Sequence, residues 1–140
     1  MVQLIIGDKG KGKTKQLLAK ANEAVKTLKG TMVYLDKSTK HMFELDKNIR
    51  LINVKDYPVS SPEAFLGFLC GILSQDHDLE KNFVDSFLTL TDMKSDADIE
   101  KAILAVERFG EKYGVDIVLS LSRNKEELSE ALQEKVVLAL

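Results

Sequence analysis

Two rhythms of apolar and polar positions alternate along the chain. VQLII (2–6) is a short apolar run that stops at Gly7, as a strand buried on both faces would. Leu17, Leu18, Ala21, Ala24, Val25 and Leu28 then recur at helical spacing, and Gly30 stands where a C-terminal cap glycine belongs. TMVYLD (31–36) and IRLINV (49–54) read as the second and third strands, with a short helix expected between Ser38 and Lys47. Ser61-Pro62-Glu63 opens a helix with a capping serine, proline in the first turn and an acid at the positive end of the dipole. Its apolar face is Ala64, Phe65, Phe68, Leu69, Ile72 and Leu73. LEKNFVD (79–85) is a weaker fourth strand. Ser95-x-x-Asp98 resembles a capping box with Asp in place of Glu; Ile99, Ala102, Ile103, Val106 and Phe109 follow, and Gly114 closes the helix. VDIVLSLS (115–122) is the fifth strand. Asn124-x-x-Glu127 opens a last helix carrying Leu128, Ala131 and Leu132, and VVLAL (136–140) is a sixth strand or a docked tail.

Strands alternating with helices predict an α/β fold: a three-layer α/β/α sandwich on a mostly parallel sheet of five or six strands. No repeat or linker interrupts residues 1–140, so one domain is expected. Ligands of such sheets sit at the carboxyl ends of the strands. Formal net charge is -2, which removes any bulk electrostatic reason to expect nucleic acid or an anionic membrane. Tyr34, Tyr57 and Tyr113 are scattered and suggest no stacking platform for single strands. Cys70 is the only cysteine, so an intrachain disulfide is excluded; inside FLGFLCGIL it is expected to be a small buried side chain. The first apolar run is too short for a signal peptide or a membrane span, and a cytoplasmic protein is expected.

The chemistry is concentrated just after the first strand. GDKGKGKT (7–14) satisfies G-x-x-x-x-G-K-[ST], the Walker A pattern, with a strand before it and an amphipathic helix after it. Gly7, Gly10 and Gly12 allow unusual backbone angles and keep side chains away from a phosphate. Successive amides and the N-terminus of the following helix then converge on the phosphate oxygens. Lys13 supplies a cation for the β and γ phosphates, and the Thr14 hydroxyl is placed to ligate magnesium. A chance match in a chain of this length is on the order of one in a few hundred. The candidate nucleotide-binding stretch is Gly7, Asp8, Lys9, Gly10, Lys11, Gly12, Lys13, Thr14 and Lys15. Lys9 and Lys11 also fit simple solvated charges. Asp8 stands where partition ATPases carry a signature lysine, which disfavours that subclass.

A carboxylate at the end of another apolar strand is needed to orient the metal. Asp36 ends the cleaner run and Asp85 the poorer one, while Asp116 begins its strand and lies at the wrong edge. The order FVDSFLTLTD, a helix, then DIVLSLSRN resembles the RecA/DnaB-type ATPases. That resemblance implies Asp85 as the Walker B aspartate and magnesium ligand, Ser86 as its neighbour, and Ser120 or Ser122 as the polar group near the γ phosphate. Asp36 is then a loop and helix cap. Through LIIGDKGKGKT, DYPVSSPEAFLGFLCGILSQDHD, FVDSF and SRNKEEL the chain also resembles small clostridial-type ATP-binding proteins labelled "twitching motility protein PilT". Pilus-retraction motors are much longer and carry histidine and acidic boxes that have no counterpart here, so this second resemblance implies ATP binding only.

His41 and His77 have no partner at ligand spacing, and His77 is expected in a surface loop. Glu63 fits helix capping better than water activation. Among Arg50, Arg108 and Arg123, the last is best placed to reach a phosphate. The expected function is binding of ATP with Mg2+ and slow hydrolysis, with Lys13 and Asp85 as the catalytic pair. A non-hydrolysing nucleotide switch, a small-molecule kinase and a ring-forming motor stay open as alternatives, as do a homo-oligomer and a protein partner.

Overall fold

The computed structural model describes residues 1–140. Six strands form one sheet in the order β3-β2-β4-β5-β1-β6. They are β1 Val2–Ile6, β2 Thr31–Asp36, β3 Ile49–Asn53, β4 Leu79–Val84, β5 Asp116–Leu121 and β6 Val136–Ala139. Every pairing is parallel. The α/β class is therefore as the rhythm of the chain predicts, and the C-terminal VVLAL run is a strand.

Alternation along the strands divides the core into two layers. Ile5, Met32, Tyr34, Phe83 and Val118 face one side, where α1 (Lys13–Ala24) covers them with Leu17, Leu18 and Ala21. Leu4, Val33, Leu35, Val84 and Leu119 face the other. There α2 (Pro62–Gln75), α3 (Phe87–Thr91) and α4 (Asp96–Tyr113) cover them with Phe65, Leu69, Phe87, Ile103 and Val106. A four-residue α5 (Glu130–Gln133) leads into β6. No helix is long and apolar enough to cross a membrane.

The expected caps at Ser61 and Ser95 are present, each accepting an amide three residues on. Gly114 ends α4 in the left-handed conformation, φ 69°. Four expectations are corrected. Gly30 is not a helix cap, since α1 ends at Ala24; it lies between Asp78 and Glu80, where an added Cβ would meet the Asp78 carbonyl at 2.0 Å. The 38–47 segment holds only a 3-10 turn, Met42–Glu44. The Asn124–Glu127 capping box forms but encloses another 3-10 turn, and a second cap at Ser129 starts α5. Cys70 is exposed, because it shares the outer face of α2 with Gly67, Gly71 and Ser74.

Candidate functional site

The Gly7–Thr14 loop joins the carboxyl end of β1 to the first turn of α1. Gly7, Gly10 and Gly12 have φ of 153°, 86° and 93°, a region that costs a side-chain-bearing residue roughly 1–2 kcal/mol. Gly12 caps α1 with no side-chain bond. The amides of Gly10, Gly12, Lys13, Thr14 and Lys15 find no acceptor within the chain. Several donors thus gather at a helix N-terminus, the arrangement that receives an anion. Lys13 Nζ donates to the Asp8 carbonyl at 3.1 Å, folding back over the loop. Burial lowers its pKa, an effect opposed by the charges of Asp85 and then Asp8. Lys9, Lys11 and Lys15 are exposed.

Opposite the loop, the sheet presents one rung of side chains on the α1 face. Ile5 is opposite Ser120, and Asp36 is opposite Asn53. Val84 pairs with both Leu119 and Leu35, so the next position, Asp85, falls between Ser120 and Asp36. Four hydroxyls converge on Asp85. Thr14, Ser86 and Ser120 donate to Oδ1 at 3.3, 3.3 and 3.1 Å. Tyr34 donates to Oδ2 at 3.0 Å. Ser120 Oγ in turn accepts the Ser86 amide at 2.8 Å. Thr14 is the link between loop and sheet, because its bond to Asp85 joins the first turn of α1 to the end of β4.

Asp36 and Asp85 were rivals in sequence; here they are neighbours. Asp36 is 2% exposed, and Oδ1 accepts the Lys37 amide at 2.7 Å. Its Oδ2 is buried without a partner. Burial first, and the Asp85 carboxylate second, raise the Asp36 pKa. Tyr34 carried no signal as a scattered aromatic. It lies two residues before Asp36 on the same strand, hence on the same face, and that parity was the clue available. Burial and the adjacent carboxylate hold its hydroxyl protonated far above the usual range, so it acts only as a donor.

Other candidates stand apart. Ser122 is exposed, whereas Ser120 makes the buried contact. Arg123 does not face the loop. Its guanidinium donates to the Ser122 and Lys94 carbonyls, both at 3.0 Å, and to Asp96 at 3.4 Å, clamping the β5 exit to the start of α4. Arg50 and Arg108 are exposed, on β3 and α4. His77 is exposed, as expected for a surface loop, and His41 pairs with Glu44. Glu63 is exposed in the first turn of α2.

No protein-family model and no curated protein matches the sequence. Among solved structures, the chain is similar to the KaiC-like protein PH0186 of the hyperthermophilic archaeon Pyrococcus horikoshii OT3. The TM-score is 0.67 at 14% identity, over 95% of this chain and 67% of that one. At that identity the likeness speaks for architecture. The chain shares that protein's architecture, a parallel α/β sheet, with its own glycine-rich loop at the carboxyl edge.

Proposed function

We propose that the chain binds a nucleoside triphosphate with Mg2+, ATP by preference, and hydrolyses it slowly. The observation that carries this reading is the 3.3 Å contact between Thr14 Oγ1 and Asp85 Oδ1 beside a loop whose amides lack acceptors. The loop amides and Lys13 would hold the phosphates, since they are the donors and the cation at the start of α1. Thr14 and Asp85 would hold the metal, whose hard charge suits a hydroxyl and a carboxylate. Bound there, magnesium would neutralise charge on the β and γ oxygens. The donor set fits: Asp85 offers two oxygens already aimed by hydroxyls, and Lys13, partly buried, gains from an anion beside it.

Asp36 supplies what the expected pair, Lys13 and Asp85, lacks. Its unpartnered oxygen is buried on the same rung as Asp85, and it would serve as a base once nucleotide binding opens a path for water to it. No arginine of this chain reaches the loop, so turnover by the isolated protein stays below roughly 1 per second. A partner or a second copy would have to bring the missing cation. The test titrates ATP, with and without Mg2+, into wild type and Asp85→Asn. Wild type should bind ATP more tightly with Mg2+, and the variant should lose most of that gain. If Mg2+ makes no difference to wild type, the assignment of Thr14 and Asp85 fails.

A further inference from the structure

Beside Ser86, the residue after Asp85, two open chambers with shared lining residues form one groove. The inner, beside Asp85 along the chain, has a volume of about 540 Å³ and is lined by Lys55, Ser86, Thr89, Lys94 and Ser122. The outer, of about 830 Å³, continues between α2 and α4 over Leu66, Phe87, Met93, Ala105 and Val106. Ser60, Asp92, Met93 and Lys94 line both. Each volume falls in the range of small-molecule sites, roughly 300–1,000 Å³.

The two chambers differ in chemistry. Lys55 and Lys94 make no ion pair, and Asp92 is the only acid of the inner chamber. The Arg123 charge is already matched by Asp96 and Glu127. The inner chamber therefore offers two unpaired cations and several hydroxyls, while the outer offers an apolar wall. Glu63, Asp92 and Asp98 line the outer chamber together with Lys94 and Lys101, so it has no excess of positive charge to hold a long polyanion.

α3 contributes residues to both chambers, and both its flanking residues have left-handed backbone. Ser86 and Asp92 are the only non-glycine residues with positive φ, 59° and 51°. Such outliers persist where surrounding structure over-determines them, often at ligand clamps and switches. Ser86 is also one residue from Asp85, bonded to it directly and through Ser120.

We propose that this groove is a second ligand site, for a small molecule with an anionic head and an apolar body, and that its occupancy reaches Asp85 through Ser86. The head lies between Lys55 and Lys94, and the body lies along Leu66 and Ala105. The binding claim stands apart from the nucleotide reading, whereas the communication claim rests on it.

Octyl phosphate, kept below its micelle concentration, is the probe. It is titrated into the full isotope-labelled chain while amide resonances are followed. The expected result is saturable binding that shifts resonances in 86–95, alike in wild type and Lys13→Ala. Lys94→Glu should weaken it about tenfold, the value of one charge-assisted contact, and Ala105→Phe should block the outer chamber. Non-saturating shifts, or equal binding by both groove variants, would overturn the site. Saturating probe should also change the affinity for Mg-ATP about fivefold or more. An unchanged affinity would overturn the communication. If ATP binds neither protein while octyl phosphate binds both, the groove stands and only the nucleotide reading falls.

Discussion

Asp85 is held from both sides, and the two sides do different work. Three hydroxyls share Oδ1, while Tyr34 alone holds Oδ2 from inside the sheet. Tyr34 is fully buried, its ring parallel to Phe83 at 6.5 Å, so it cannot turn away. Tyr34→Phe should therefore weaken Mg-ATP binding about tenfold, a typical outer-shell effect on a metal site. Metal-free ATP binding should hardly change, which a merely structural loss would not produce; calorimetry with and without Mg2+ checks this. Asp36 behaves oppositely, since it sits where its charge is costly. An acid with a raised folded pKa binds protons better when folded. Its stabilising effect is present at low pH and is lost as pH rises through that pKa. Asp36→Asn should thus raise the Tm at pH 7, flatten the pH dependence of stability and reduce turnover. A lower Tm in the variant would contradict this account. At this scale the sequence offered both aspartates but not their adjacency. Adjacency depends on the register of β2 against β4, and register is set by packing across the sheet.

Among the elements, the strands and long helices were legible because each carries a full period of apolar positions. α3 was not, since five residues cannot show one. The last helix is shorter than its capping box suggests, because such a box marks a start but not a length. Gly30 shows the same limit: a glycine after a helical run suggests a cap, whereas its true constraint is the neighbouring entry to β4 at Asp78–Glu80. The Gly30 amide donates to Glu80 Oε1 at 2.6 Å. A Cβ there would lie 2.0 Å from a backbone carbonyl. Gly30→Ala should cost about 3 kcal/mol, at the upper end for overpacking, measured by urea denaturation. Had Gly30 been only a cap, its φ would be positive and the penalty would be smaller, about 1 kcal/mol.

For the whole molecule, the parallel sheet is what brings distant segments to one edge. β1 and β4 are far apart in sequence, yet β5 lies between them, so the loop at Gly7, Ser120 and Asp85 meet at one edge. The three-layer form follows from strands buried on both faces, and that much was readable from the hydrophobic pattern. The apolar run around Cys70 hides its orientation. The small residues Gly67, Cys70, Gly71 and Ser74 recur at helical spacing and mark the outward face of α2. Its thiol should accordingly react with a disulfide reagent at full stoichiometry in the native protein, without denaturant. Nucleotide binding through the glycine-rich loop is tested by titrating Mg-ATP into wild type and Lys13→Ala by calorimetry. The account predicts saturable one-to-one binding by wild type and loss of at least about tenfold in affinity in the variant, the value of one charge-assisted contact. Absence of binding by wild type, or equal binding by both proteins, would contradict it.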